Sequence, residues 1–335
     1  MTSTGPGKLT DHVSLGALTR TVPRFIVDEA IAKSGRLEKR SRSLPAHVVV
    51  YFVLALSLFP DGYEEVIRKL VNGLRFARVW SKHWTVPTTS ALSQARIRLG
   101  EAPLKEIFQQ IAGPIASPTT RGTFLGDRRV MAIDGVMIDM PDTKENRAFY
   151  SREDDETYRP FPQIRTVALL ETGTRGFAGA AMGTIYQGER ELAALLVNHV
   201  EPDMLITADR GFFSFQLWRT YLSTGADLLW RVSSTLHLPV LKTLPDGSYL
   251  SEITNQNARS RTRIPLDKVA DPRHATHIPV RVIEYHVEKH TDDTGESETF
   301  RLITCILHPD DTTALELAGA YQQRWELESA FKELE

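Results

Sequence analysis

The chain has 335 residues, room for two or three domains, and its 41% hydrophobic and 24% charged content is that of an ordinary soluble protein. A single cysteine, Cys305, excludes a disulfide framework or a cysteine metal site and fits a reducing, cytoplasmic setting, and the longest apolar stretch, residues 48–59, is too short to span a bilayer. The net charge of −2 hides an asymmetry, because residues 1–130 hold about 19 Lys and Arg against 10 Asp and Glu, and the remainder about 21 against 32. A basic front suits polyanions, and an acidic rear supplies the carboxylates that bind cations.

Residues 1–120 read as helical. Pro45 sits where a helix begins and Ser43 can cap it; the apolar run that follows is ended by Pro60-Asp61-Gly62. That run is apolar all round, as in the central helix of a small bundle. Residues 64–74 form an amphipathic helix with Val66, Ile67, Leu70 and Leu74 inward. Pro87-Thr88-Thr89 leads into SALSQARIRLG, and Glu101-Ala102-Pro103 opens a helix through Ile111. With Gly100 at the break, the two resemble a helix-turn-helix, and Arg96 and Arg98 lie on its polar side. Groove binding and a solvated basic bundle face both fit that pattern.

Residues 113–128, rich in Pro, Gly, Ser and Thr, read as a linker. The pattern then switches to strands. Residues 129–139 are apolar on both faces, as in a sheet covered on both sides. Two antiparallel strands follow at 165–171 and 176–183, then a helix at 189–200, a buried strand at 204–208, a helix at 212–223 and a buried strand at 228–232. Residues 235–307 alternate in short β-type segments with no long helix. A terminal helix, capped by Asp310 or Asp311, is expected to run to the last residue.

The terminal helix, ending YQQRWELESAFKELE, carries two stripes. Tyr321, Arg324, Glu328 and Lys332 fall along one line at 3.6 residues per turn, beside an apolar line of Leu327, Ala330, Phe331 and Leu334. Burial needs only the apolar line. The polar row can hold a metal ion and a phosphate backbone together, or can be a run of ion pairs, Arg324 with Glu328 and Glu328 with Lys332.

Two aspartates end buried strands. Asp134 follows Val130-Met131-Ala132-Ile133 and precedes Gly135; Asp209 follows Leu205-Ile206-Thr207-Ala208 and precedes Arg210-Gly211. A carboxylate leaving an apolar strand is costly unless it is paired or binds a cation. Each alone also reads as a strand-end turn. If the terminal helix packs beside these strands, Glu328 makes a third carboxylate, a donor set suited to Mg²⁺ or Mn²⁺. Two such ions about 4 Å apart would serve an in-line phosphoryl displacement. Weaker candidates are the loop carboxylates of residues 153–156, Asp139 and Asp142 in a turn, Phe300 as a core or base-stacking ring, and Trp325 packed beneath the site face. The ten histidines show no zinc-binding spacing.

AIDG around Asp134, TADRGF around Asp209 and YQQRWELESAFK around Glu328 resemble the DDE blocks of IS4-family insertion-sequence transposases, and LPAHVVVYFVLALSLFPDGYEEVIRKL resembles their N-terminal domain. The resemblance implies an α/β fold, an RNase H-like catalytic domain with a β-rich insertion, preceded by an all-helical DNA-binding domain. On that basis residues 1–120 bind DNA, 121–234 begin the catalytic core, 235–308 are the insertion, and 309–335 are the helix carrying Glu328. It further implies that Asp134, Asp209 and Glu328 ligate two Mg²⁺ or Mn²⁺ ions, with Tyr321 and Arg324 holding the DNA backbone next to the cleaved end; Lys332 on the same helix face, Arg210 beside Asp209, and Arg96 and Arg98 on the helix-turn-helix are further candidate DNA contacts. The implied partners are terminal inverted repeats, target DNA and a second subunit in a synaptic complex, in a cytoplasmic, nucleoid-associated setting without a membrane. A hairpin on the element's own end is the family's common cleavage route.

The family signature's final lysine falls at Glu335, with Lys332 one turn earlier on the same face. The chain stops there, inside a helix with no C-cap, so a truncated or degenerate copy is expected. The resemblance implies a metal-dependent transposase that excises its element and transfers the 3′ ends into a target; its rivals are a DNA-binding remnant without catalysis, and a two-metal nuclease that does not transpose.

Overall fold

The computed structural model describes residues 15–40, 42, 44–59, 61–76, 86–150, 160–255, 264–268, 274–288, 297–325 and 331. The chain divides into two compact units, Met1–Ala112 and Gly113–Glu335.

The first unit is helical: α1 Leu15–Thr21, α2 Arg24–Lys33, α3 Ala46–Leu58, α4 Tyr63–Phe76, α5 Thr89–Leu99 and α6 Ala102–Ile111. Helix α3 starts after Pro45, whose fixed φ suits a helix entry, and buries Val48, Val49, Val50, Tyr51, Phe52 and Ala55 around its circumference. Burying each large apolar side chain there contributes about 1.5–3 kcal/mol before conformational entropy is counted. Tyr51, buried with them, donates from Oη to the Val22 carbonyl at 2.7 Å. Thr88 caps α5 by accepting from the Ala91 N–H, and Gly100 ends it at φ +71°, a conformation glycine adopts without strain. Ser43, the expected cap of α3, lies outside the described residues.

Among the described residues, the second unit is built on one ten-stranded sheet. Its strands are β1 Phe124–Leu125, β2 Arg128–Asp139, β3 Gln163–Glu171, β4 Phe177–Thr184, β5 Met204–Ala208, β6 Asp227–Arg231, β7 Lys242–Thr243, β8 Tyr249–Thr254, β9 His277–Glu288 and β10 Ser297–Thr304. The sheet order is β4-β3-β2-β5-β6-β10-β9-β8-β7, with β1 beside β2. Strands β2, β5 and β6 are parallel, and the other pairings are antiparallel. The helices are α7 Lys144–Tyr150, α8 Glu189–Leu195, α9 Phe215–Leu222 and α10 Ala314–Gln322.

Both faces of the central strands are covered, which is why they read as unbroken apolar runs. On one face Met131, Ile133, Ile206 and Ala208 pack with Leu192 and Ala193 of α8 and Leu217, Trp218 and Tyr221 of α9. On the other, Val130, Leu205, Leu229 and Leu302 pack with Leu317, Ala320 and Tyr321 of α10.

Several expectations change in detail. The segment after residue 235 extends the same sheet, since β10 pairs antiparallel with β6. Helix α9 starts at Phe215 with Ser214 as its cap, because the backbone of 209–213 is taken up by a turn in which the Phe212 N–H donates to Asp209 O. Neither Asp310 nor Asp311 caps α10; Thr313 does, in a reciprocal capping box with Glu316. The terminal helix is not continuous, because α10 ends at Gln322 and a 3₁₀ turn, Gln323–Trp325, follows. No single helix among the described residues is long and apolar enough to cross a membrane.

Candidate active site

Strand register brings the two aspartates together. Ile133 of β2 lies opposite Ala208 of β5, which lies opposite Trp230 of β6. The next residue on each chain is Asp134, Asp209 and Arg231, so the three stand side by side across neighbouring parallel strands. Side chains alternate along a strand, which places Asp134 on the face of Val130 and Ala132, and Asp209 on the face of Leu205. That is the face on which α10 packs.

Helix α10 and the turn after it supply the opposing groups. Tyr321, 1% exposed, directs its hydroxyl to Asp209 Oδ1 at 3.4 Å. Arg324 donates from Nη1 to Asp134 Oδ2 at 2.7 Å. The Gly135 N–H donates to Asp134 Oδ1 at 2.9 Å. Arg231 places Nη1 3.7 Å from Asp209 Oδ1, with its guanidinium 4.0 Å from the centre of the Phe300 ring.

Burial pushes the Asp134 carboxyl above its ordinary value; the charge of Asp209 adds to this, while Arg324 and the Gly135 N–H oppose it. Burial likewise raises the Tyr321 hydroxyl, so it stays protonated and donates. For Arg324, burial works against the charge, but the Asp134 and Asp209 carboxylates oppose it and hold the guanidinium protonated. Its buried Nε has no hydrogen-bond partner among the described residues. Two adjacent carboxylates, one of them desolvated, form a donor set that fits a hard divalent cation. Among the described residues no third His, Cys, Asp or Glu completes a metal-ligating group.

The expected residues fall into three groups. Asp134, Asp209, Tyr321 and Arg324 converge. Glu328 and Lys332 lie outside the described residues, as do the carboxylates of 153–156. Arg210 is exposed in the turn after Asp209. Arg96 and Arg98 belong to the first unit: Arg96 lies over the Tyr63 ring at 5.3 Å, and Arg98 donates to Leu44 O at 3.2 Å. Arg98 also lines a cavity of about 400 Å³ with Arg36, Lys39, Arg40 and Arg42.

Trp325 is 55% exposed and does not pack beneath the site, because the 3₁₀ turn rotates it outward as it turns Arg324 in. Phe300 is a core ring, stacked on Tyr285 at 5.3 Å and edge-on to Tyr321 at 6.4 Å. Asp139 accepts from Gln163 Nε2 and Asp142 pairs with Arg147, both away from the pair.

Two residues near the site carried no expectation. Arg231 ends a third buried strand, and its alignment with Asp134 and Asp209 was the available signal. Glu189, at the start of α8, lies against Gly135 on the opposite face, where a Cβ at Gly135 would meet Glu189 Oε1 at 2.8 Å. Nothing in sequence spacing brings those two together.

The chain matches the family of insertion element 4 transposase N-terminal domains over residues 12–109, and the transposase DDE domain family over residues 125–335. It is similar to the transposase InsG for insertion sequence element IS4 of Escherichia coli (strain K12), 24% identical across 92% of this chain and 66% of that protein. It is also similar to the putative transposase InsZ of the same organism, 25% identical across 62% of this chain and 68% of that protein. The chain thus spans about two thirds of the length of these curated relatives.

Proposed function

This chain belongs to the DDE-domain transposases of the IS4 type, and from that premise we propose that it cleaves and joins DNA strands at the terminal inverted repeats of its own element. The observation that carries the reading is the side-by-side placement of Asp134 and Asp209 on adjacent parallel strands, facing Tyr321 and Arg324. The sheet order β4-β3-β2-β5-β6, with β3 antiparallel to β2, supports an RNase H-like core. We divide the chain into a DNA-binding region over 1–120, a core over 121–234, a β-rich segment over 235–308, and a terminal segment over 309–335.

Glu328 is assigned as the third carboxylate. It follows Arg324 by four residues and precedes Phe331 by three, and both of these are buried on the face that carries Asp134. Asp134, Asp209 and Glu328 would hold Mg²⁺ or Mn²⁺, two ions in the full site. Such ions supply Lewis-acid activation of the attacking hydroxyl and charge stabilisation at the leaving oxygen.

The protein's own groups then have defined tasks. Arg324, kept charged, passes from Asp134 to a phosphate oxygen of the bound strand. The protonated Tyr321 hydroxyl donates to the same backbone, and Lys332 adds a cation along it. Arg231 holds Asp209 in place from the neighbouring strand. Arg210, Arg96 and Arg98 provide further phosphate contacts. The DNA substrate places the protein on the nucleoid, working as a dimer that pairs two ends.

The test is nicking of end-sequence DNA in Mg²⁺ or Mn²⁺. Cleavage is expected for the natural chain and is expected to fall at least about a thousandfold in Asp134→Ala. Robust cleavage by that variant would overturn the assignment. Tight end binding with no cleavage by the natural chain would instead indicate a DNA-binding remnant.

A further inference from the structure

The helix that carries Tyr321 is fastened at its start by a residue far away in sequence. Leu244 to Ser248 form the turn between β7 and β8, closed by the Leu244 N–H to Ser248 O bond at 2.8 Å and by Gly247 at φ +85°. From that turn, Asp246 Oδ2 accepts the Ala314 N–H, the first of α10, at 2.8 Å. Arg281 of β9, fully buried, pairs with Asp246 and donates from Nε to Ser248 Oγ and from Nη1 to Thr312 O, each at 2.8 Å. Arg281 thus grips both the hairpin turn and the residue before the helix cap.

A buried guanidinium is costly unless its donors are used, and here they are spent on two segments that must stay together. The apolar contacts of Leu317, Ala320 and Tyr321 hold α10 against the sheet, but such contacts are non-directional and resist sliding weakly. Directional bonds at the helix start set its position along its axis. Tyr321 lies seven residues beyond Ala314, about 10 Å along the helix.

We propose that Asp246, clamped by Arg281, is a positioning residue that sets α10 on the sheet and thereby fixes Tyr321 at Asp209 and Arg324 at Asp134. The β-rich segment then works as a brace for the strand-cleaving site, an inference that rests in its consequence on the transposase reading and in its geometry on the contacts above.

The test combines backbone hydrogen exchange with single-turnover cleavage, using the full chain with Asp246→Ala and, should that variant not fold, Asp246→Asn. Exchange across 314–322 is expected to speed up about tenfold, through loss of the charge-assisted bond from the Ala314 N–H, while β2 and β5 keep their protection. Cleavage is expected to slow about tenfold with the half-saturating DNA concentration unchanged. In an Arg324→Gln background the same change is expected to cost little more, because both act through one geometry. Unchanged exchange in α10, equal loosening of every segment, or losses that multiply with Arg324→Gln would each overturn the proposal. If the natural chain cleaves no DNA, the transposase reading fails and the exchange pattern alone decides the brace.

Discussion

Arg324 and Asp134 are each other's partner in the structure, at 10% and 21% side-chain exposure. A desolvated carboxylate facing Asp209 needs a compensating charge, and the guanidinium supplies it. Removing one member therefore leaves the other uncompensated. Arg324→Gln is expected to lower stability by about 1–3 kcal/mol in urea unfolding without divalent ions. Adding Asp134→Asn to that variant is expected to recover most of the loss, since an amide carries no charge to strand. A double variant less stable than Arg324→Gln alone would show that the pair does not behave as one unit.

Among the elements, the turn between β3 and β4 is tightly specified. Gly173 sits at φ +77°, and a Cβ there would lie 2.8 Å from Thr123 Oγ1 and 2.9 Å from the Arg121 carbonyl. The backbone at Arg121 cannot yield as a flexible side chain would. Gly173→Ala is expected to cost about 2 kcal/mol or more, from the left-handed conformation and the contact together, as read from the denaturant midpoint. Gly135→Ala meets only the far end of the Glu189 side chain and is expected to be much milder. The start of α10 was legible in Thr313-Ala314-Leu315-Glu316, a capping-box pattern, although two aspartates just upstream offered equally good cap chemistry. The break after Gln322 was not legible, because Arg324 leaves the helical line to reach Asp134 across the sheet.

At the scale of the whole second unit, the stretch expected as a linker is pinned. The Gly113 N–H donates to Phe177 O at 3.1 Å, and the Ile115 and Ala116 N–H groups donate to Glu171 at 3.0 and 2.8 Å. Glu171 is fully buried and is also bonded by Arg129 and Thr174. Burial alone would raise its carboxyl, but these donors outweigh it and hold it below the ordinary glutamate value. A depressed carboxylate contributes stability above its unfolded pKa and loses it as pH falls through the folded value. Acid should therefore weaken this unit, and Glu171→Gln is expected to cost about 3 kcal/mol at neutral pH and to flatten the acid limb. Thermal midpoints between about pH 7 and pH 3 check this, and an acid limb unchanged by Glu171→Gln would contradict it.

What the sequence determined by itself were the elements whose signal is local. An all-round apolar run after Pro45, a glycine break after α5 and unbroken apolar strands ending in Asp134 and Asp209 each follow from side-chain pattern and backbone preference alone. The pairing of the two aspartates, the entry of Arg231 beside them, the joining of β10 to β6 and the clamp of Asp246 and Arg281 on α10 were decided only by tertiary structure. Each depends on strand register or on a bond between residues about 20 to 75 positions apart, and no local pattern encodes which of many compatible partners a buried charge will meet.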